Sequence, residues 1–296
     1  MELTPWSTDR LELGEGARWV GDRLVLVDLL AGRLLQTTGD APAALRELLK
    51  LDVPLGAVAP VTGRPGDRLA AAGTHVELLD ASGRRTPIAD LPGDGPGPAR
   101  VNDAVADPHG RFWATTMTYA ATPGSGTLFR IEPGAAPVPA VTGLTIANGP
   151  AFDAAGTTMY LADTPRGWVD RFTVDPRTGA LSGREPFLRL VPGQGVPDGM
   201  TVDADAHLWV ALWGGSAVRR YRPDGILDRE IRLPATQPAS VCLGGPGLRR
   251  LFITTARYGL VPAGPLDGAL FAVDVEVPGA PAAPVGAGFL TTVAPR

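Results

Sequence analysis

Oxygen-bearing side chains recur in this chain at nearly equal intervals, each opening an apolar stretch. Glu15 stands in GEGARW, Asn102 in ARVNDAVADP, Asn148 in ANGPAFDAAG and Asp198 in PDGMTVDADA, while Leu55 and Ser240 occupy the matching places in weaker copies. Carboxylate and amide oxygens converging on one point are what a hard divalent cation requires; two carboxylates offset its charge and waters complete the shell. Ca²⁺, Mg²⁺ and Mn²⁺ suit such oxygens, and Zn²⁺, which usually prefers nitrogen and sulfur, accepts them. Any one of these residues alone reads as a turn cap, because Asn and Asp before glycine often bond their own backbone. Their coincidence in phase points to a site. Arg100, two residues before Asn102, offers a fixed fork of donors suited to a carboxylate or polyol oxygen; a plain surface arginine is the alternative. Asp103 replaces the glycine of its siblings, either as a support behind the site or as a turn residue.

Other chemistries find little support. His75, His109 and His207 are scattered, and neither HExxH nor GxSxG is present. LVPGQGVPDG lacks the glycine order and following helix of a phosphate loop. Trp113 and Trp209 read as core, Trp213 as a residue near the site opening. Cys242 reads as an inert packed thiol.

The elements that must position these residues follow from the repeat. Six copies begin at Glu15, Gly56, Asn102, Asn148, Asp198 and Ser240, with spacings of 41, 46, 46, 50 and 42 residues. A period of about 40 to 50 residues with several strands per copy means propeller blades, so the expected fold is all-β, a six-bladed β-propeller. Each copy opens with a hairpin turning at DPHGR, DAAGT or DADAH and continues into a second, as in GTLFRIEPG and VDRFTVDPRTG. Innermost strands line the central channel, so equivalent positions share one ring around the axis. No linker divides the chain, and residues 1–296 are expected to form one domain. WSTDRLEL is expected to add a strand to the last blade and close the ring, removing exposed edges. APAALRELLKL, residues 41–51, reads either as a helix or as a loop-edge segment.

Composition agrees. The chain has 38 glycines and 30 prolines in 296 residues, nearly twice the usual share of roughly 12 %. Its hydrophobic content of 44 % excludes disorder, leaving a folded protein with many turns. A net charge of −4 disfavours a nucleic-acid binder. One cysteine excludes an intramolecular disulfide framework. With neither a signal peptide nor an apolar run of about 20 residues, the expected setting is the cytoplasm, without a membrane partner.

The same residues resemble the regucalcin/gluconolactonase family, also called the senescence-marker-protein family, over almost the whole chain. LGEGARW with LVLVDLLAGRL resembles its opening blade, and ARVNDAVADPHGRFWATTM its most distinctive motif. NGPAFDAAGTTMYLADT and PDGMTVDADAHLWVALWGG resemble its two central ligand motifs, and PLDGALFAVDV its last strand. The resemblance implies one divalent metal, Ca²⁺ as the first choice and Zn²⁺, Mn²⁺ or Mg²⁺ as others, held by Glu15, Asn148 and Asp198. It implies substrate contacts from Arg100 and Asn102, and Asp198 as general base. The implied activity is hydrolysis of sugar lactones and related esters, with a small molecule as substrate and a monomer or weak homo-oligomer as the assembly.

One departure stands out. Sugar-lactonase members carry acidic residues after the GTM motif, whereas here the run is TTMTYAATPGSG, with Thr118, Tyr119 and Ala120 in that stretch. A less polar pocket follows. It opens two alternatives: a metal-dependent enzyme of a specialised pathway acting on a less polar ester or ring intermediate by hydrolysis, isomerisation or C–C cleavage, and a non-catalytic calcium-binding protein.

Overall fold

The computed structural model describes residues 3–39, 41–93 and 95–290. These form six four-stranded antiparallel sheets in a ring, a six-bladed β-propeller. The innermost strands are Gly14–Val20, Leu55–Val61, Ala99–Ala106, Ala147–Phe152, Val196–Val202 and Gln237–Gly244, in blades 1 to 6. Each packs on the inner strands of the blades before and after it, and that of blade 1 packs on both blade 6 and blade 2, so the ring closes. Strands near the axis are buried on both faces, as in Phe112–Thr118, while an outermost strand such as Leu181–Arg189 is largely exposed. Apolar side chains of adjacent blades interdigitate: Leu69 and Ala71 of blade 2 share a core with Val101, Phe112 and Phe129 of blade 3.

The turn-forming aspartates act as expected. Asp107 Oδ1 accepts from the His109 and Arg111 N–H groups at 2.9 and 3.0 Å, and its other oxygen accepts from the Trp113 indole at 2.9 Å. Asp203 repeats this with Asp205, His207 and Trp209. Trp113 and Trp209 are accordingly core residues.

Two segments differ from expectation. Residues 41–51 contain no helix. Leu45–Lys50 is the outermost strand of blade 1, pairing with Arg33–Thr37. The free edge of that strand offers backbone hydrogen bonds to Leu45–Lys50, which outweigh a weak helical pattern. The last blade gains Thr4–Pro5, paired with Phe271–Asp274, slightly earlier than WSTDRLEL placed it. Trp6 follows and meets Phe252 edge-on at 5.1 Å. No helix among the described residues is long and apolar enough to cross a membrane.

A segment after the last strand crosses the channel at the end away from the strand starts. Pro278 O accepts from Ala204 N in blade 5, Val285 N donates to Pro60 O in blade 2, and Gly286 N to Gly110 O in blade 3.

Candidate active site

The strand starts gather at the opposite end. Each inner strand breaks register near its first residues: after Glu15, Leu55, Val101, Asn148, Pro197 and Pro238. A bulge inserts unpaired residues and re-aims their side chains, which is how residues of a flat ladder come to face the axis. Glu15, Asn102, Asn148 and Asp198 all lie at or inside these bulges. Glycine is required beside them by close approach. A Cβ on Gly149, at φ +52°, would stand 2.9 Å from both Asp198 O and Met200 N, and one on Gly199 would stand 2.7 Å from Ala239 O. In blade 3 Asp103 takes the glycine's place, and its Oδ2 accepts from Gly149 N at 3.0 Å.

The structure brings Arg100, Asn102, Asn148, Glu15 and Asp198 together. Arg100 Nη1 donates to Asn102 Oδ1 at 2.8 Å, and Asn102 Nδ2 donates to Asn148 Oδ1 at 2.8 Å and Ala147 O at 3.1 Å. Asn148 Nδ2 donates to Thr164 Oγ1 at 3.0 Å, whose hydroxyl donates on to Pro197 O at 2.8 Å, beside Asp198. Burial raises the Glu15 and Asp198 carboxyls well above the usual carboxylate range. The charges of Asp198 and Asp103 add to this at Glu15, and that of Asp103 at Asp198, while Arg100 opposes it at both. Burial also raises Asp103, against the pull of Arg18, whose Nη2 lies 3.9 Å from its Oδ1. Burial lowers Arg100 from its ordinary value, with Tyr119, Glu15, Tyr258 and Asp198 acting against that.

Among the described residues no three His, Cys, Asp or Glu side chains gather closely enough to hold a metal. A site here therefore needs an amide oxygen beside its two carboxylates. Asn148 Oδ1 has a second lone pair for that purpose. Asp198 Oδ1 is buried with no hydrogen-bond partner among the described residues, an arrangement that costs free energy unless a ligand completes it. An all-oxygen set of this kind fits a hard cation.

Five residues of this neighbourhood lie outside the in-phase set. Asp103 proves to be a support between blades. Thr164 ties Asn148 to the strand of Asp198, and Arg18 crosses from blade 1 to donate to Ala104 O of blade 3 at 2.9 Å. Tyr119, with its ring centroid 5.9 Å from the Arg100 guanidinium carbon, and Tyr258 flank Arg100. Asp103 carried a sequence signal, as a departure from the glycine that follows Glu15, Leu55, Asn148 and Asp198, and Tyr119 stood in the run that lacks acidic residues. Trp213 packs against the cluster of Leu13, Leu55 and Ala256. The histidines take no part: His75 bonds Asp90, His109 bonds Ala155 O and His207 bonds Asp205 O. A cavity of about 380 Å³ at the far end of the channel is lined by Arg18, Trp19, Cys242 and Ala280–Pro284, and by neither Glu15 nor Asp198.

Comparison with known proteins places these features. The chain is 35 % identical over 283 residues to pentonolactonase of Haloferax volcanii, covering 91 % of this chain and 93 % of that one. It is 33 % identical to 6-deoxy-6-sulfogluconolactonase of Pseudomonas putida, over 90 % and 92 % of the two chains. The crystal structure of regucalcin from Agrobacterium tumefaciens, described as a calcium-binding protein, superposes with a TM-score of 0.87 at 29 % identity, covering 95 % and 96 %. Residues 13–257 match the family model SMP-30/Gluconolactonase/LRE-like region. The chain belongs to the SMP-30/gluconolactonase/LRE-like family.

Proposed function

We propose that this chain is a divalent-metal-dependent lactonase that opens a sugar lactone or related cyclic ester. The observation that carries the reading is the buried Oδ1 of Asp198, unbonded among the described residues, in one cluster with Glu15, Asn148 and Arg100. Relatives named as lactonases support the reaction class, and the calcium-binding relative supports Ca²⁺ as the first ion to try. Glu15, Asn148 and Asp198 would hold the ion, which when bound supplies Lewis-acid polarisation of the lactone carbonyl.

The chain's own residues do the rest. Asp198 takes the proton of the attacking water and returns it to the ring oxygen as the acyl C–O bond breaks, and such transfer is worth roughly 10²–10⁴-fold. A carboxylate that also ligates a cation is a weak base, so the proton moves in concert with attack. Arg100 and Asn102 orient the substrate, with the Asn102 amide locked at both ends. This reading takes residues 1–296 as one cytoplasmic domain acting on a small molecule, as a monomer or weak homo-oligomer, and the closed ring of inner strands supports the single domain.

The test is to strip metal with a chelator, restore ions singly and follow acid release from a lactone panel. Turnover is expected to vanish and return with Ca²⁺ first. Full turnover by a folded Asp198→Asn variant would defeat the base role. Metal binding without turnover of any ester would leave a binding protein instead.

A further inference from the structure

We infer that the cavity at the far end of the channel is a second ligand site, for a small amphipathic carboxylate whose acid group meets Arg18 and whose apolar tail fills the chamber. The inference goes beyond the lactonase reading and does not depend on it.

The chamber follows from the inner strands. At its level they carry small side chains, Ala17, Ala59, Ala106 and Ala151 on blades 1 to 4. Side chains of that size do not meet across a channel ringed by six blades, so a space of about 380 Å³ stays between them, where protein interiors are otherwise close-packed. Val202 of blade 5 and Leu243 of blade 6 complete an apolar wall. Ordered water needs polar partners, which such a wall does not supply, and apolar cavities take up apolar guests instead. An engineered dry cavity of about 150 Å³ accepts benzene, so this chamber has room for an aromatic ring or an alkyl chain together with an acid group.

The charged residues on the wall are Arg18 and Asp153. Asp153 spends its carboxylate in its own turn, Oδ1 accepting from Thr157 N and Thr158 N at 2.8 and 3.0 Å and Oδ2 from the Thr157 hydroxyl at 3.0 Å. Arg18 donates from Nη1 to Ala17 O at 2.7 Å and from Nη2 to Ala104 O at 2.9 Å, and among the described residues no hydrogen bond leaves its Nε. The Asp103 carboxylate stands 3.9 Å away, beyond hydrogen-bond reach. The Arg18 charge also acts on the Cys242 thiol, on the wall of blade 6. A cation so placed gives the chamber one anchor, and a charge-assisted bond to a carboxylate is about twice as strong as a neutral one. The roof allows entry. Ala280–Pro284 spans the chamber between Gly279, whose N donates to Leu248 O at 2.9 Å, and Val285, whose N donates to Pro60 O at 2.8 Å. Among the described residues no backbone hydrogen bond holds the segment between these two points, so it parts from the blades at little cost.

The experiment is calorimetry in chelator with octanoate, octanol and acetate as probes. Octanoate is expected to bind about tenfold or more tightly than octanol, through the charge, and about a hundredfold or more tightly than acetate, through the tail. Ala282→Phe, at a half-buried position on the roof, fills the chamber and should abolish octanoate binding while lactone turnover stays as it is. Arg18→Met should bring octanoate down to the affinity of octanol, and Arg18→Lys should keep most of the difference. If Arg18→Met does not fold, the octanoate-to-octanol ratio of the wild type and the loss in Ala282→Phe still decide. No octanoate binding, octanol binding as tightly, or octanoate binding that survives Ala282→Phe, as it would with the acid on Arg100 at the channel mouth, overturns the inference and leaves the lactonase reading untouched. Octanoate held as expected by a chain that turns over no lactone would sink the lactonase reading and keep this site.

Discussion

Asp198→Asn should make the metal-free protein more stable while destroying its activity. The wild-type carboxylate is 4 % exposed, its Oδ1 has no hydrogen-bond partner among the described residues, and it shares its surroundings with Glu15 and Asp103. An unsatisfied buried group of this kind costs about 1–3 kcal/mol, more when charged, and an amide of the same shape removes the charge. At about 2–4 °C per kcal/mol for a chain of this size, the melting temperature should rise by roughly 2–12 °C. The sign depends on pH. The Asp198 carboxyl is raised by burial and by Asp103, so its favourable contribution is complete below the unfolded value, near 3.8, and is lost as pH rises through the raised folded value. Metal-free wild type and variant should therefore converge at strongly acid pH and separate toward neutrality. Adding Ca²⁺ should reverse their order, because an ion that binds only the folded state stabilises the chain able to hold it. The assay is thermal unfolding in chelator and in Ca²⁺ at several pH values. A metal-free variant that melts below wild type at neutral pH, or a gap that does not change with pH, would refute the reasoning.

Other outcomes follow from the same contacts. Thr164→Val should lower metal affinity by roughly 10–100-fold, because Asn148 loses its anchor at 3.0 Å; titration with Ca²⁺ checks it, and unchanged affinity would show the anchor idle. Gly149→Ala should lower stability by at least about 1–3 kcal/mol, since the new Cβ meets Asp198 O and Met200 N at 2.9 Å with φ at +52°; a melting curve like the wild type's would contradict that. Cys242, buried and with its thiol pushed up to about 12, should resist a thiol reagent at pH 8 in the native protein and react fully in denaturant.

Much of the architecture was legible in the chain itself. The turns and the near-even spacing of the copies repeat because every blade solves the same packing problem, so blade count and ring positions could be read before any coordinate. Glu15, Asn102, Asn148 and Asp198 shared a phase, and equivalent positions of a closed ring must converge on its axis. The segment 41–51 was less legible, because its strand forms only against an edge supplied by Arg33–Thr37. Arg18, Thr164 and Tyr258 carried no signal, and Tyr119 only that of standing in a run without acidic residues. They reach the site from loops and neighbouring strands, through contacts such as Thr164 to Asn148 and Arg18 to Ala104 that no periodicity encodes. Sequence alone determined the ring and the oxygens on it, since both follow from repetition. Tertiary structure decided that, among the described residues, Asp198 Oδ1 has no hydrogen-bond partner and Arg100 no salt bridge, since pairing depends on which side chains of different blades come within reach.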